Sequence, residues 1–153
     1  MSDPALFSSS PSTPAARRKA RRFVMQALYQ WELSRTEVNE IAVQFFAGQD
    51  MAKTDRLYFH ECLIGSVERL DEVDALIAPA LDRPLNEVSP VEKSILRLAA
   101  YELLARIDVP YRVVINEGIE LAKTFGADDS FKYVNGVLDK VARKARTVEV
   151  RGF

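Results

Sequence analysis

The side chains best placed to do chemistry in this sequence are cations, and they are grouped. Arg17, Arg18, Lys19, Arg21 and Arg22 lie close together near the start, and Tyr29 follows downstream. On a helical wheel with Arg18 at zero, Arg22 lies at about 40° and Tyr29 at about 20°, while Val24, Ala27 and Trp31 centre near about 200°. A ring aligned with guanidiniums, opposite the apolar face, suits single-stranded RNA. Guanidinium forks pair with phosphates, and an unstacked base lies on the ring. The competing reading is a solvated basic helix start with Tyr29 at its rim, and spacing alone does not separate the two.

A second candidate is Phe125-Gly126-Ala127-Asp128-Asp129-Ser130-Phe131-Lys132-Tyr133. A helix starting here offers free N–H groups to a phosphate, with Lys132 and Tyr133 adding a cation and a ring. Ordinary capping by Asp129 or Ser130, with Tyr133 packed, is the simpler reading of these residues alone.

Catalytic constellations are missing. His60 is the only histidine and Cys62 the only cysteine, so neither a multi-histidine metal site, a cysteine zinc site nor an internal disulfide can form. Cys62 falls in an apolar helical register, which predicts core packing. Acidic pairs such as Asp71/Asp74 and Glu117/Glu120 share helix faces, but nothing in the sequence converges them on a pocket. No glycine-rich phosphate loop or metalloprotease motif is present. The expectation is a protein with no catalytic residues, no metal and no cofactor.

The elements that must position these residues are helical. A chain of 153 residues, 48% hydrophobic, suits one domain with a real core. No apolar run approaches the roughly 18–20 residues that cross a bilayer, so no membrane role is expected. No secretory signal precedes the basic segment, and a lone thiol fits a reducing compartment, so the cytoplasm is expected. The net charge of −1 hides an uneven distribution: residues 1–22 carry +4, residues 143–153 carry +3, and residues 23–142 carry −8.

Residues 1–13, rich in Ser and Pro, read as a disordered leader, and residues 147–153 as a flexible tail. Between them, 14–146 reads as a single helical domain. Thr13-Pro14 starts a helix to about residue 34, and residues 37–47 form a second. Thr54 or Asp55 caps a third that carries Leu57 to Leu70, and a short fourth contains Leu76 to Leu81. Ser89-Pro90-Val91-Glu92 is a complete helix start, and the helix it opens is apolar on most sides and therefore central. A sixth helix ends at Gly126 and a seventh follows. No alternating strand pattern is found. The class is all-α, with about seven helices in two packed halves meeting near residues 82–90.

Three stretches carry a resemblance. They are Ala15-Ala16-Arg17-Arg18-Lys19-Ala20-Arg21 running into Val24-Met25-Gln26-Ala27-Leu28-Tyr29-Gln30-Trp31; Val91-Glu92-Lys93-Ser94-Ile95-Leu96-Arg97 with Tyr101-Glu102-Leu103; and Asp108-Val109-Pro110-Tyr111-Arg112-Val113-Val114-Ile115-Asn116-Glu117, continuing through Glu120-Leu121-Ala122-Lys123 to Tyr133-Val134-Asn135-Gly136-Val137-Leu138-Asp139. In this order, over about residues 15–142, the chain resembles the NusB family of bacterial transcription antitermination factors. The resemblance implies two helical subdomains and no catalytic activity. It implies binding to the boxA element of ribosomal RNA leader transcripts in a complex with NusE, a small-subunit ribosomal protein. Other Nus factors and RNA polymerase would be engaged indirectly.

By position, the resemblance implies RNA contacts for Arg17, Arg18, Lys19 and Arg21, for Tyr29, and for Asp129, Ser130, Lys132 and Tyr133. It thereby favours function over plain capping at the second candidate. It ties Glu92 to the NusE contact. Phe23 stands where a more polar residue is expected. An acidic body would steer a basic ribosomal protein toward it. Two other readings remain: the NusB-like front domain of a ribosomal RNA cytosine methyltransferase, which would need a downstream cofactor-binding domain, and a helical module whose basic end meets acidic protein or lipid. Both a monomer and a homodimer that covers the basic helix are open at this point.

Overall fold

The computed structural model describes residues 10–152. Among them it forms eight α-helices: α1 (Pro14–Ser34), α2 (Val38–Gly48), α3 (Arg56–Glu68), α4 (Leu70–Ile77), α5 (Pro90–Ala105), α6 (Tyr111–Phe125), α7 (Ser130–Ala145) and α8 (Thr147–Arg151). The described residues contain no strand. The expected all-α class is what the chain adopts.

Local signals set most boundaries. The Thr13 hydroxyl accepts from Ala16 N–H, with Pro14 in the first helical position. The Asp55 carboxylate accepts from Tyr58 N–H and opens α3. At α5 the Ser89 hydroxyl accepts from Glu92 N–H at 3.2 Å and donates to the Glu92 carboxylate at 3.0 Å. Of the predicted disordered leader, residues 1–9 lie outside the described residues. Ser10 is tied to the body, accepting from Arg56 N–H at 2.6 Å and donating to the Thr54 carbonyl at 3.2 Å.

The helices form two groups around α5. One is α1, α2 and α3; the other is α4, α6 and α7; α5 packs against α1 and α3 on one side and against α4, α6 and α7 on the other. Its residues from Lys93 to Leu103 are all buried, as expected of a central helix. The groups part at Arg69, not near residues 82–90. Leu70, expected within the third helix, begins α4 instead. The break has a packing reason. Tyr58, Phe59, Cys62 and Leu63 of α3 are buried in the group with α1, whereas Val73 and Ile77 of α4 are buried in the group with α7. A straight helix could not serve both.

Polar links hold the groups together. Glu32 on α1 accepts from Lys93 at 2.7 Å and Arg97 at 2.9 Å, and Arg97 also reaches Asp74 on α4 at 3.0 Å. Phe23 fills a gap at the core edge, edge-on to Phe45 and Phe59 at 6.3 and 6.4 Å.

Where a flexible tail is expected, residues 147–151 form α8, anchored by Arg146. The buried Arg146 guanidinium donates to the carbonyls of Glu102, Leu103, Arg106 and Val109 at 2.7–3.1 Å. A cation among the last carbonyls of α5 opposes the negative end of that helix. Glu149 completes the link, accepting from Arg146 at 2.7 Å and from Tyr111 N–H at 2.9 Å.

Candidate nucleic-acid interface

The five cations of α1 do not share one environment. Arg21 departs from the expected RNA contact: it is 4% exposed, and its guanidinium lies 2.9 Å from the Glu102 carboxylate. Glu102 also accepts from the Tyr58 hydroxyl. Burial works against the charge on Arg21, but Glu102 outweighs it and holds the guanidinium pKa above its ordinary value. The Tyr58 hydroxyl is pushed up by burial and by the Glu102 charge. Arg21 therefore joins α1 to α5 inside the protein. Arg17 is intermediate: its guanidinium lies over the Tyr58 ring at 4.2 Å, with Asp55 at 3.7 Å.

Arg18, Lys19 and Arg22 are exposed. Arg18 donates from Nε to both oxygens of Glu117 on α6, at 3.2 and 3.4 Å. Among the described residues Lys19 and Arg22 have no carboxylate within ion-pair distance. Tyr29 is 36% exposed on the same side as Arg18 and Arg22, and Val24, Ala27 and Trp31 are buried on the other. That is the arrangement the wheel predicts.

Two cavities open along this stripe. One, of about 330 Å³, lies between Arg18, Arg21 and Arg22 of α1 and Glu117, Glu120 and Thr124 of α6. The other, of about 490 Å³, lies beside Tyr29 and is lined by Met25, Phe45, Val91 and Phe125, with Gln26, Gln30 and Gln49 supplying amides. The stripe thus runs from a cationic end to an aromatic one. Glu117 is the addition that sequence reasoning missed, and Phe125, the first residue of the second candidate segment, proves to line the cavity beside Tyr29 as well. Both face α1 only because α6 packs beside it, a long-range placement with no local signal.

The second candidate sits where α6 passes into α7. Gly126 is not left-handed (φ −92°). A Cβ there would fall 2.7 Å from Ser130 Cβ and 2.8 Å from the Ala122 carbonyl oxygen, so close approach requires the glycine. The expected acidic cap does not form: Asp129 is the N-cap residue but makes no side-chain capping bond. Asp129 and Lys132 are exposed and lie 3.7 Å apart, and Ser130 is buried. Lys132 and Lys123 flank the Phe131 ring at 5.9 and 5.4 Å. Tyr133 is half-buried, with Arg83 over its ring at 4.8 Å and Asp82 accepting from its hydroxyl at 3.4 Å. Burial raises the Tyr133 pKa, Arg83 lowers it, and Asp82 and Glu92 raise it further. Glu92 thus lies within electrostatic reach of Tyr133, while its neighbour Val91 lines the cavity beside Tyr29. Phe125 lines that same cavity, and Asp129 follows a few residues later.

Elsewhere, Cys62 is buried as its register predicts, and burial pushes its thiol pKa up, away from reactivity. His60 is half-buried, with its ring 6.4 Å from Phe46. Among the described residues no group of His, Cys, Asp and Glu has the arrangement of a metal site. No described helix is long and apolar enough to cross a membrane.

Comparison with known proteins agrees with this architecture. The model of the NusB family matches residues 18–143. A transcription antitermination protein NusB from Alcanivorax borkumensis is 62% identical over 141 residues, 92% of this chain and 94% of that protein. Another from Pseudomonas entomophila is 52% identical over 141 residues, 92% of this chain and 85% of that protein. Among solved structures, NusB of T. maritima superposes with a TM-score of 0.74 at 34% identity, covering 90% of this chain and all of that one. A structure of the antitermination factors NusB and NusE in complex with double-stranded RNA shares the fold, with a TM-score of 0.71 at 24% identity, covering 86% of this chain and 99% of the other. With the family matched across nearly the whole helical body, this chain belongs to the NusB family of transcription antitermination proteins.

Proposed function

We propose that this protein is a non-enzymatic RNA-binding antitermination factor of the cytoplasm. It binds boxA-type single-stranded RNA of ribosomal RNA leader transcripts together with NusE, and so supports processive transcription of ribosomal RNA operons. Other Nus factors and RNA polymerase are engaged through that complex. The observation that carries the reading is the stripe of Arg18, Arg22 and Tyr29 on the open side of α1, beside a cationic cavity and an aromatic one. Phosphates suit the first and an unstacked base the second. The structural relative solved with NusE and double-stranded RNA supports NusE and RNA as partner classes.

On this reading Lys19 and Arg17 add to the field at the start of α1, and Asp129, Ser130, Lys132 and Tyr133 extend the surface beyond Phe125. Glu92 belongs to the NusE side, where the acidic middle of the chain complements a basic ribosomal protein. A homodimer that covers α1 would compete with RNA. The test is a titration of boxA RNA, scrambled RNA and a duplex of the boxA sequence, each with and without NusE, alongside sedimentation of the free protein. The expected result is preference for single-stranded boxA RNA, strengthened by NusE. Equal, weak binding to all three RNAs in both conditions would remove the reading.

A further inference from the structure

Glu117 projects from α6 beneath Arg18, its side chain 13% exposed against 52% for Arg18. Both its oxygens accept from Arg18 Nε. Arg21 Nη1 also lies 3.6 Å from Oε1 of the same carboxylate. Arg21 is itself fixed by Glu102, and Glu102 by the Tyr58 hydroxyl. Charges therefore alternate from core to surface: Glu102, Arg21, Glu117, Arg18.

The atom through which Arg18 is held matters. Glu117 engages Nε alone, and among the described residues no hydrogen bond occupies Nη1 or Nη2 of Arg18. A guanidinium anchored at Nε keeps the N–H groups of its outer edge free, in one plane and in one direction. Arg18 lines the cavity that Arg22 and Thr124 also line. Unanchored, so exposed an arginine would sample many rotamers and lose that freedom on binding. A carboxylate beside a phosphate site also repels the phosphate, and here the Arg21 guanidinium behind Glu117 offsets that repulsion.

We propose that Glu117 is a positioning residue for RNA: it clamps Arg18 at Nε so that the Nη edge is presented to a backbone phosphate. The proposal rests on the RNA reading of α1.

The test is a double-mutant cycle in the full chain, read by the affinity for boxA-type single-stranded RNA. Glu117→Gln weakens binding by about 5- to 10-fold in the parent background and has no effect in an Arg18→Ala background, as expected for two side chains acting as a unit. The Arg18 Nε–H resonance, followed by NMR, loses its distinct position in Glu117→Gln. If Glu117→Gln fails to fold, Glu117→Asp, which keeps the charge and shortens the reach, shows the same background-dependent loss. Tighter binding by Glu117→Gln would mean that the carboxylate competes with phosphate, and would overturn the clamp. An equal loss in both backgrounds would reduce Glu117 to a structural role. A parent chain that binds no RNA would instead overturn the underlying reading, and the clamp with it.

Discussion

Arg21 and Arg22 are adjacent in sequence, yet one is 2.9 Å from Glu102 in the interior and the other is exposed on the cavity between α1 and α6. One hundred degrees of helix rotation separates a structural cation from a surface one. Much of the positive charge at the start of α1 is answered inside the protein, by Asp55, Glu102 and Glu117.

This divides the arginines by phenotype. Arg21→Met leaves Glu102 buried without its partner and is expected to cost about 3–5 kcal/mol of stability. Arg22→Ala is expected to change stability by no more than about 0.5 kcal/mol and to weaken RNA binding. Thermal melts of the two variants check this, and equal melting temperatures would contradict it.

Tyr29→Ala is expected to cost about 1–3 kcal/mol of RNA affinity if a base stacks on the ring. The helical circular dichroism signal should be retained, because Tyr29 lies on the open side of α1. Loss of helix in that variant would mean that the ring supports the fold.

Arg146→Ala removes the cation that satisfies carbonyls at the end of α5 and in the turn after it, and that pairs with Glu149 of α8. Several buried hydrogen bonds to a charged group are lost together, so the expected destabilisation is about 2–4 kcal/mol. RNA affinity at a temperature where the variant is folded should be unchanged. A melting temperature equal to the parent's would show that water replaces the guanidinium without cost.

Acid should loosen the link between the two helix groups. Burial alone would raise the Glu32 pKa, but the hydrogen bonds from Lys93 and Arg97 outweigh it, and the carboxyl sits below its ordinary 4.5. Such a group adds stability above its unfolded pKa and loses it as pH falls through the depressed folded value. Glu32→Gln should therefore be less stable than the parent at neutral pH, with the gap closing as pH drops below about 4. Urea melts across that range check this, and a gap independent of pH would contradict it.

The fold was largely legible because its signals are local. Thr13-Pro14, Asp55 and Ser89-Pro90-Val91-Glu92 open helices where their chemistry predicts. The break at Arg69 was not legible, since it follows from which neighbours Val73 and Ile77 meet. The stripe of Arg18, Arg22 and Tyr29 was legible from angle alone. The burial of Arg21 was half-legible: at about 300° on the same wheel it lies beside Leu28, at the edge of the apolar arc. Glu102, Glu117 and Phe125, which set the environment of the stripe, come from α5 and α6, and only the packing of those helices brings them to α1. The burial of Arg146 is not legible in the sequence, because nothing nearby in the chain marks the end of α5 as its target.

The most direct test of the RNA surface is a comparison of charge reversals at the two basic ends. Arg22→Glu and Arg143→Glu change the net charge equally, and both positions are exposed. Titration with boxA-type RNA over a range of salt is predicted to show a large loss of affinity and a shallower salt dependence for Arg22→Glu, because fewer counterions are released when a phosphate contact is lost. Arg143→Glu should bind nearly as the parent does. Equal losses for the two variants would mean that RNA responds to overall charge and not to the α1 stripe, and would contradict the assignment.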